Sequence, residues 1–137
     1  MYDIVFIEGN KKYLTKDRHD KIKKDILDLF PNLNTYSIES DNIDTNHIPK
    51  SKVYIGFSQG TRYFKKMEEK NSKSLKISLG GITGRDIIYF KNVDDNARKG
   101  DYSYKSLNSH FTITESTKKS ILKVVSKYIK SYKESRC

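Results

Sequence analysis

Apolar residues recur along this chain at two spacings, one of strands and one of helices. The run Ile4-Val5-Phe6-Ile7, apolar on both faces and followed by Glu8-Gly9-Asn10, predicts a buried strand that ends in a tight loop. From about Lys16 to Phe30, Ile22, Ile26, Leu29 and Phe30 recur at helical spacing among Lys and Asp, and Pro31 closes this amphipathic helix. Its His19 sits among charged residues and reads as solvated. Thr35 to Glu39 alternates as a strand does, and the polar stretch Ser40 to Ser51, carrying Pro49, reads as a loop or a poorly formed helix. Lys52-Val53-Tyr54-Ile55-Gly56-Phe57 is the next strand, and after Ser58-Gln59-Gly60 the positions Tyr63, Phe64 and Met67 predict a short helix to about Lys70. Leu75 to Leu79 is a fourth strand, stopped by Gly80-Gly81, and Asp86 to Phe90 a fifth. From about Glu115 to Tyr132, Ile121, Val125, Tyr128, Ile129 and Tyr132 share one face of a long helix, with Thr112 and Glu115 spaced as a capping box.

Strands alternating with helices predict an α/β fold, a three-layer α/β/α arrangement around a mostly parallel sheet of about five strands. Only six residues separate Leu79 from Asp86, whereas a parallel crossover usually needs about a dozen or more. The fourth and fifth strands are therefore joined either by a bare crossover or as an antiparallel hairpin. The whole chain, 1–137, is expected to form one domain.

Charge adds a second layer. Lys and Arg number 27 against 17 Asp and Glu, a formal net charge of +10, and only 5 of the 27 are Arg. Lys is a point charge and a generic surface residue, while nucleic-acid readers use Arg forks. The excess is read either as a solvated surface or as a field that draws anionic partners. Cys137, the lone cysteine, cannot form an intramolecular disulfide, so nothing points to an oxidising compartment. With no signal-peptide core and no apolar run of about 18 residues, the expectation is a cytoplasmic protein.

The candidate chemistry starts at Gly56-Phe57-Ser58-Gln59-Gly60, which fits Gly-x-Ser-x-Gly between an apolar strand and a helix. Small flanking residues allow a sharp turn that leaves the hydroxyl exposed at the carboxyl edge of the sheet, facing the amino end of the next helix. A serine nucleophile needs a base. His110 lies just before the terminal helix, and Asp94 and Asp95 follow the fifth strand, so the order is Ser58, then Asp94 or Asp95, then His110. Each has a bland reading too: Ser58 as a turn residue or helix cap, His110 as a surface histidine, Asp94 and Asp95 as loop formers. His47 is a reserve base, and Tyr102 and Tyr104 line an acyl pocket or simply pack. The three His and one Cys have no close ligand spacing, and neither a Walker loop nor a dinucleotide fingerprint occurs, so no metal or cofactor is expected.

On these residues the chain resembles a minimal, lidless α/β-hydrolase of the serine esterase and lipase superfamily over nearly its whole length. Gly56 to Gly60 is similar to the nucleophile segment of carboxylesterases and acyl-protein thioesterases. Leu79-Gly80-Gly81 and Ser109-His110-Phe111 resemble small bacterial lipases. The resemblance implies hydrolysis of carboxylic esters or thioesters, on a small molecule or an acylated carrier. Ser58 would be nucleophile, His110 general base then acid, and Asp94 or Asp95 the group orienting the imidazole. It also implies an oxyanion hole from the amide of Gln59 and the loop Gly9-Asn10. Glu8 departs from the family's His-Gly and must point away from that hole. The competing reading is a non-catalytic hydrolase-like module whose Lys-rich face, with Lys118, Lys119, Lys123, Lys127 and Lys130, engages nucleic acid or an acidic protein. The scarcity of Arg weighs against nucleic acid.

Overall fold

The computed structural model describes residues 1–9, 16–39, 48–65, 73–91 and 112–135, with side chains to Lys133. Five strands, β1 (Tyr2–Ile7), β2 (Thr35–Ile38), β3 (Ser51–Phe57), β4 (Leu75–Leu79) and β5 (Ile87–Phe90), form one sheet in the order β2-β1-β3-β4-β5. Every neighbouring pair is parallel. Two α-helices, α1 (Lys16–Leu27) and α2 (Glu115–Ser135), and a 3-10 helix over Ser58–Tyr63 complete the described elements.

The register sets which side chains share a face. Phe6, Ile55, Ile77 and Ile88 stand side by side, and Ile7, Gly56, Ser78 and Tyr89 form the next row on the opposite face. Ile4, Phe6, Val53, Ile55, Phe57, Ile77 and Leu79 pack under Ile22 and Ile26 of α1 and Ile121, Val125 and Ile129 of α2. Val5, Ile7 and Tyr54 of the other face pack with Phe64, just past the 3-10 helix. Each such side chain taken out of water contributes about 1.5–3 kcal/mol. The result is the expected α/β fold, a parallel sheet flanked by helices.

Several local expectations are corrected. α1 stops at Leu27 instead of Phe30: the Leu29 and Phe30 amides donate to the carbonyls of Ile26 and Leu27, three residues back, at 3.2 and 3.0 Å. Pro31 disfavours helical geometry at the residue before it, so the chain tightens and turns there. His19 is 2% exposed, because it lies three and seven residues before Ile22 and Ile26 on the helix face turned to the sheet. The helix after β3 is 3-10 over its first six residues. Helix α2 is not capped through Thr112 and Glu115. Glu115 is its first residue, so the cap falls on Thr114, whose Oγ1 accepts the Thr117 N–H at 3.1 Å.

The connection between β4 and β5 is a bare crossover. The strands are parallel, the Gly80 N–H donates to the Phe90 carbonyl at 2.9 Å, and Gly80 turns out of the sheet at φ 63. Glycine takes this left-handed conformation without a Cβ penalty.

At the opposite edge, Asp3 of β1 accepts from Lys52 Nζ and from the Asn34 N–H, both at 2.9 Å, while Lys52 lies 5.1 Å from the Tyr132 ring centre of α2. Burial alone would raise the Asp3 pKa, but the hydrogen bonds from Lys52 and Asn34 and the charges of Lys52 and Lys133 hold it below the usual carboxylate value. Among the described residues no helix is long and apolar enough to cross a membrane.

Candidate functional site

The strand order creates a crevice before any side chain is considered. β1 and β3 are neighbours and parallel, yet the helix after β1 covers one face of the sheet while Phe64, beyond β3, packs on the other. Chains that leave adjacent strand ends toward opposite faces part from each other, and ligands of open parallel sheets bind at such switch points, outside the carboxyl ends of the strands. Gly9 and Ser58 are found there, just past Ile7 and Phe57.

Ser58 has φ 51 and is the non-glycine residue with positive φ among the described residues. A side chain there crowds its own backbone, at a cost of roughly 1–2 kcal/mol, and such outliers concentrate at functional sites. The cap position of the 3-10 helix is Phe57, in extended conformation and with no side-chain cap hydrogen bond, which removes the helix-cap reading of Ser58.

The glycines of the motif are explained by close approach. A Cβ on Gly60 would lie 2.4 Å from the Ile7 carbonyl oxygen and 2.7 Å from that of Glu8, so the turn after β3 rests directly on the end of β1. A Cβ on Gly56 would lie 2.8 Å from Thr61 Cγ2. Gly9 is less tightly held: a Cβ there would lie 3.1 Å from the Phe57 carbonyl oxygen and in ordinary contact, 3.5 Å, with the Cβ of Ser58.

Glu8 is 4% exposed, and its carboxylate lies 3.8 Å from Lys23 Nζ of α1. Alternation along β1 puts Glu8 on the same side as Ile4 and Phe6, the face that α1 covers.

Thr61 was not singled out by its sequence position, yet it is central here. It is 1% exposed, its Oγ1 donates to the Ser58 carbonyl at 2.8 Å, and it accepts the Ile82 N–H at 2.9 Å. Gly81 leaves room for it, because a Cβ there would lie 2.2 Å from Thr61 Oγ1 and 2.6 Å from the Ser58 oxygen. The only sequence signal was the pair Gly80-Gly81, read as a strand stop.

Phe57, Leu79 and Phe90, the last residues of β3, β4 and β5, line a small cavity with Lys91 and residues 112–114 and 117 at the start of α2. Its volume of about 10 Å³ is room for about one water molecule. His110, Asp94, Asp95 and Asn10, together with His47, Tyr102 and Tyr104, lie outside the described residues. Gly9, Ser58 and Gln59 are thus the expected site residues that the structure describes and brings together at the β1–β3 crevice. Among the described residues no group of three or more His, Cys, Asp or Glu is arranged to hold a metal ion.

These features define a small parallel α/β protein with a strained serine turn at its switch point. No protein-family model, curated protein or solved structure matches the chain.

Proposed function

We propose that the protein is a serine hydrolase that cleaves carboxylic esters or thioesters, on a small molecule or an acylated carrier, with Ser58 as nucleophile. The observation that carries this reading is the positive φ of Ser58 inside Gly-x-Ser-x-Gly, at a strand-to-helix junction on the carboxyl edge of the sheet. In the proposed reaction the Ser58 hydroxyl attacks the substrate carbonyl carbon as His110 takes its proton. The tetrahedral oxyanion accepts hydrogen bonds from the amides of Gln59 and of the Gly9-Asn10 loop. Collapse breaks the bond to the alcohol or thiol, which leaves with the proton from His110. Water, deprotonated by the same imidazole, then hydrolyses the acyl-enzyme, while Asp94 or Asp95 steadies the imidazolium.

Two further observations support it. β5 runs parallel to β3, so the chain leaves β5 at the edge where Ser58 lies, which is what an acid after that strand requires. Lys91 and Thr112, the described residues nearest in sequence to Asp94 and His110, line the same cavity as Phe57. The test is stoichiometric labelling with a fluorophosphonate, read by intact mass. Wild type is expected to gain one adduct, and Ser58→Ala and His110→Ala none while retaining the wild-type circular dichroism spectrum. A folded wild type that stays unlabelled defeats the proposal.

A second reading, a binding module, draws on α2. Residues 116–133 contain no Asp or Glu, and Lys119, Lys123, Lys127 and Lys130 are exposed, whereas Lys118 pairs with Glu115 at 3.2 Å. A depression of about 370 Å³ beside Lys130 and Lys133, floored by Leu29, Leu33 and Ile129, adjoins this face. It predicts binding to an acidic partner that weakens steeply with salt, in a protein that fluorophosphonate does not label.

A further inference from the structure

We propose that Thr61 is the positioning residue of this site: its hydroxyl aims the Gln59 amide at the developing oxyanion. The inference rests on the hydrolase reading above and adds a residue to it.

A peptide group is planar and trans, so the carbonyl of Ser58 and the N–H of Gln59 belong to one rigid plate and point in opposite directions. Whatever holds that carbonyl therefore aims that N–H. Thr61 Oγ1 donates to the Ser58 oxygen at 2.8 Å, and its own lone pair takes the Ile82 N–H at 2.9 Å. The hydroxyl is thus held from both sides, with its donor directed at Ser58 and its acceptor side occupied by the chain between β4 and β5.

Burial makes the arrangement stiff, since Thr61 is 1% exposed and its methyl packs where a Cβ on Gly56 or Gly81 would collide. Ser58 sits at φ 51, a conformation that a non-glycine residue leaves readily unless neighbours determine it. The Thr61 hydroxyl is such a neighbour, acting on the peptide plate that carries the Gln59 donor. Gly81 belongs to the same device, because any side chain there would displace both Thr61 Oγ1 and the Ser58 oxygen.

An oxyanion donor matters most as negative charge develops, so its misalignment slows bond formation more than it weakens the first encounter. The experiment compares wild type, Thr61→Val, Thr61→Cys and Thr61→Ser in fluorophosphonate labelling, resolved into the maximal rate constant and the half-saturating concentration. Circular dichroism checks the fold. Valine keeps the shape without the hydroxyl, cysteine supplies a poor donor should the valine variant not fold, and serine restores the hydroxyl. The expected result is a maximal rate at least tenfold lower in the valine or cysteine variant, with the half-saturating concentration within about twofold of wild type. Serine should recover the rate to within about threefold.

Equal rates in wild type and a folded valine or cysteine variant would overturn the role of Thr61 and leave Ser58 as nucleophile. A serine variant as slow as the valine one would overturn it also, by assigning the effect to the methyl group. A wild type that takes no label overturns the hydrolase reading, and the positioning role with it.

Discussion

At the scale of single residues, the turn after β3 is governed by contacts that tolerate no added atom. Ser58 keeps a left-handed backbone although it carries a side chain, and Gly60 sits on the carbonyls that end β1. Gly60→Ala would drive a methyl group to 2.4 Å from the Ile7 oxygen, against backbone that cannot move without disturbing the sheet. The expected cost is about 1–3 kcal/mol, measured as a lower urea midpoint with an unchanged slope. The motif was legible because Gly-x-Ser-x-Gly needs only five consecutive letters. Thr61 was not, since a threonine three residues beyond the serine has no distinguishing pattern, and its partner Ile82 is 21 residues away. Lys76 was equally hidden: a lysine is ordinarily a surface residue, but the sheet leaves this one 1% exposed, with Nζ 3.4 Å from the Ser74 carbonyl.

Among elements, the ends were harder to read than the middles. Periodicity located both α-helices because Ile22 and Ile26, and Ile121, Val125 and Ile129, repeat at four-residue steps and pack on one face of the sheet. The start of α2 was set two residues away from its expected cap, and which of several closely spaced threonines takes that position depends on where the chain enters the helix. Thr114→Ala removes the bond to the Thr117 amide and is expected to cost about 1 kcal/mol. Thermal unfolding checks this, and Thr114→Ser, which keeps the capping hydroxyl, should stay close to wild type.

For the whole molecule, the Asp3–Lys52 pair joins the first and third strands beside Tyr132 of the last helix, and it gives stability a pH dependence of definite sign. The folded-state pKa of Asp3 is depressed, so its contribution is fully present above the ordinary carboxylate value of about 3.9 and is lost as pH falls through the lower folded value. Asp3→Asn should therefore be less stable than wild type in urea at pH 7, and the gap should narrow as the pH is lowered below about 4. A gap that stays constant across that range would show that the pair does not set the acid limb.

The sequence by itself determined the class of the fold, most of its elements and the serine turn, because each depends on residues close together in the chain: apolar runs, helical spacing, and glycines flanking a serine. Only the tertiary structure decided that β5 is parallel to β4, that β1 and β3 are neighbours with the candidate site between their ends, and that Thr61 bridges the serine turn to the crossover. These are pairings between segments far apart in the chain. Local propensity carries no record of them, and they follow from how one sheet buries both of its faces.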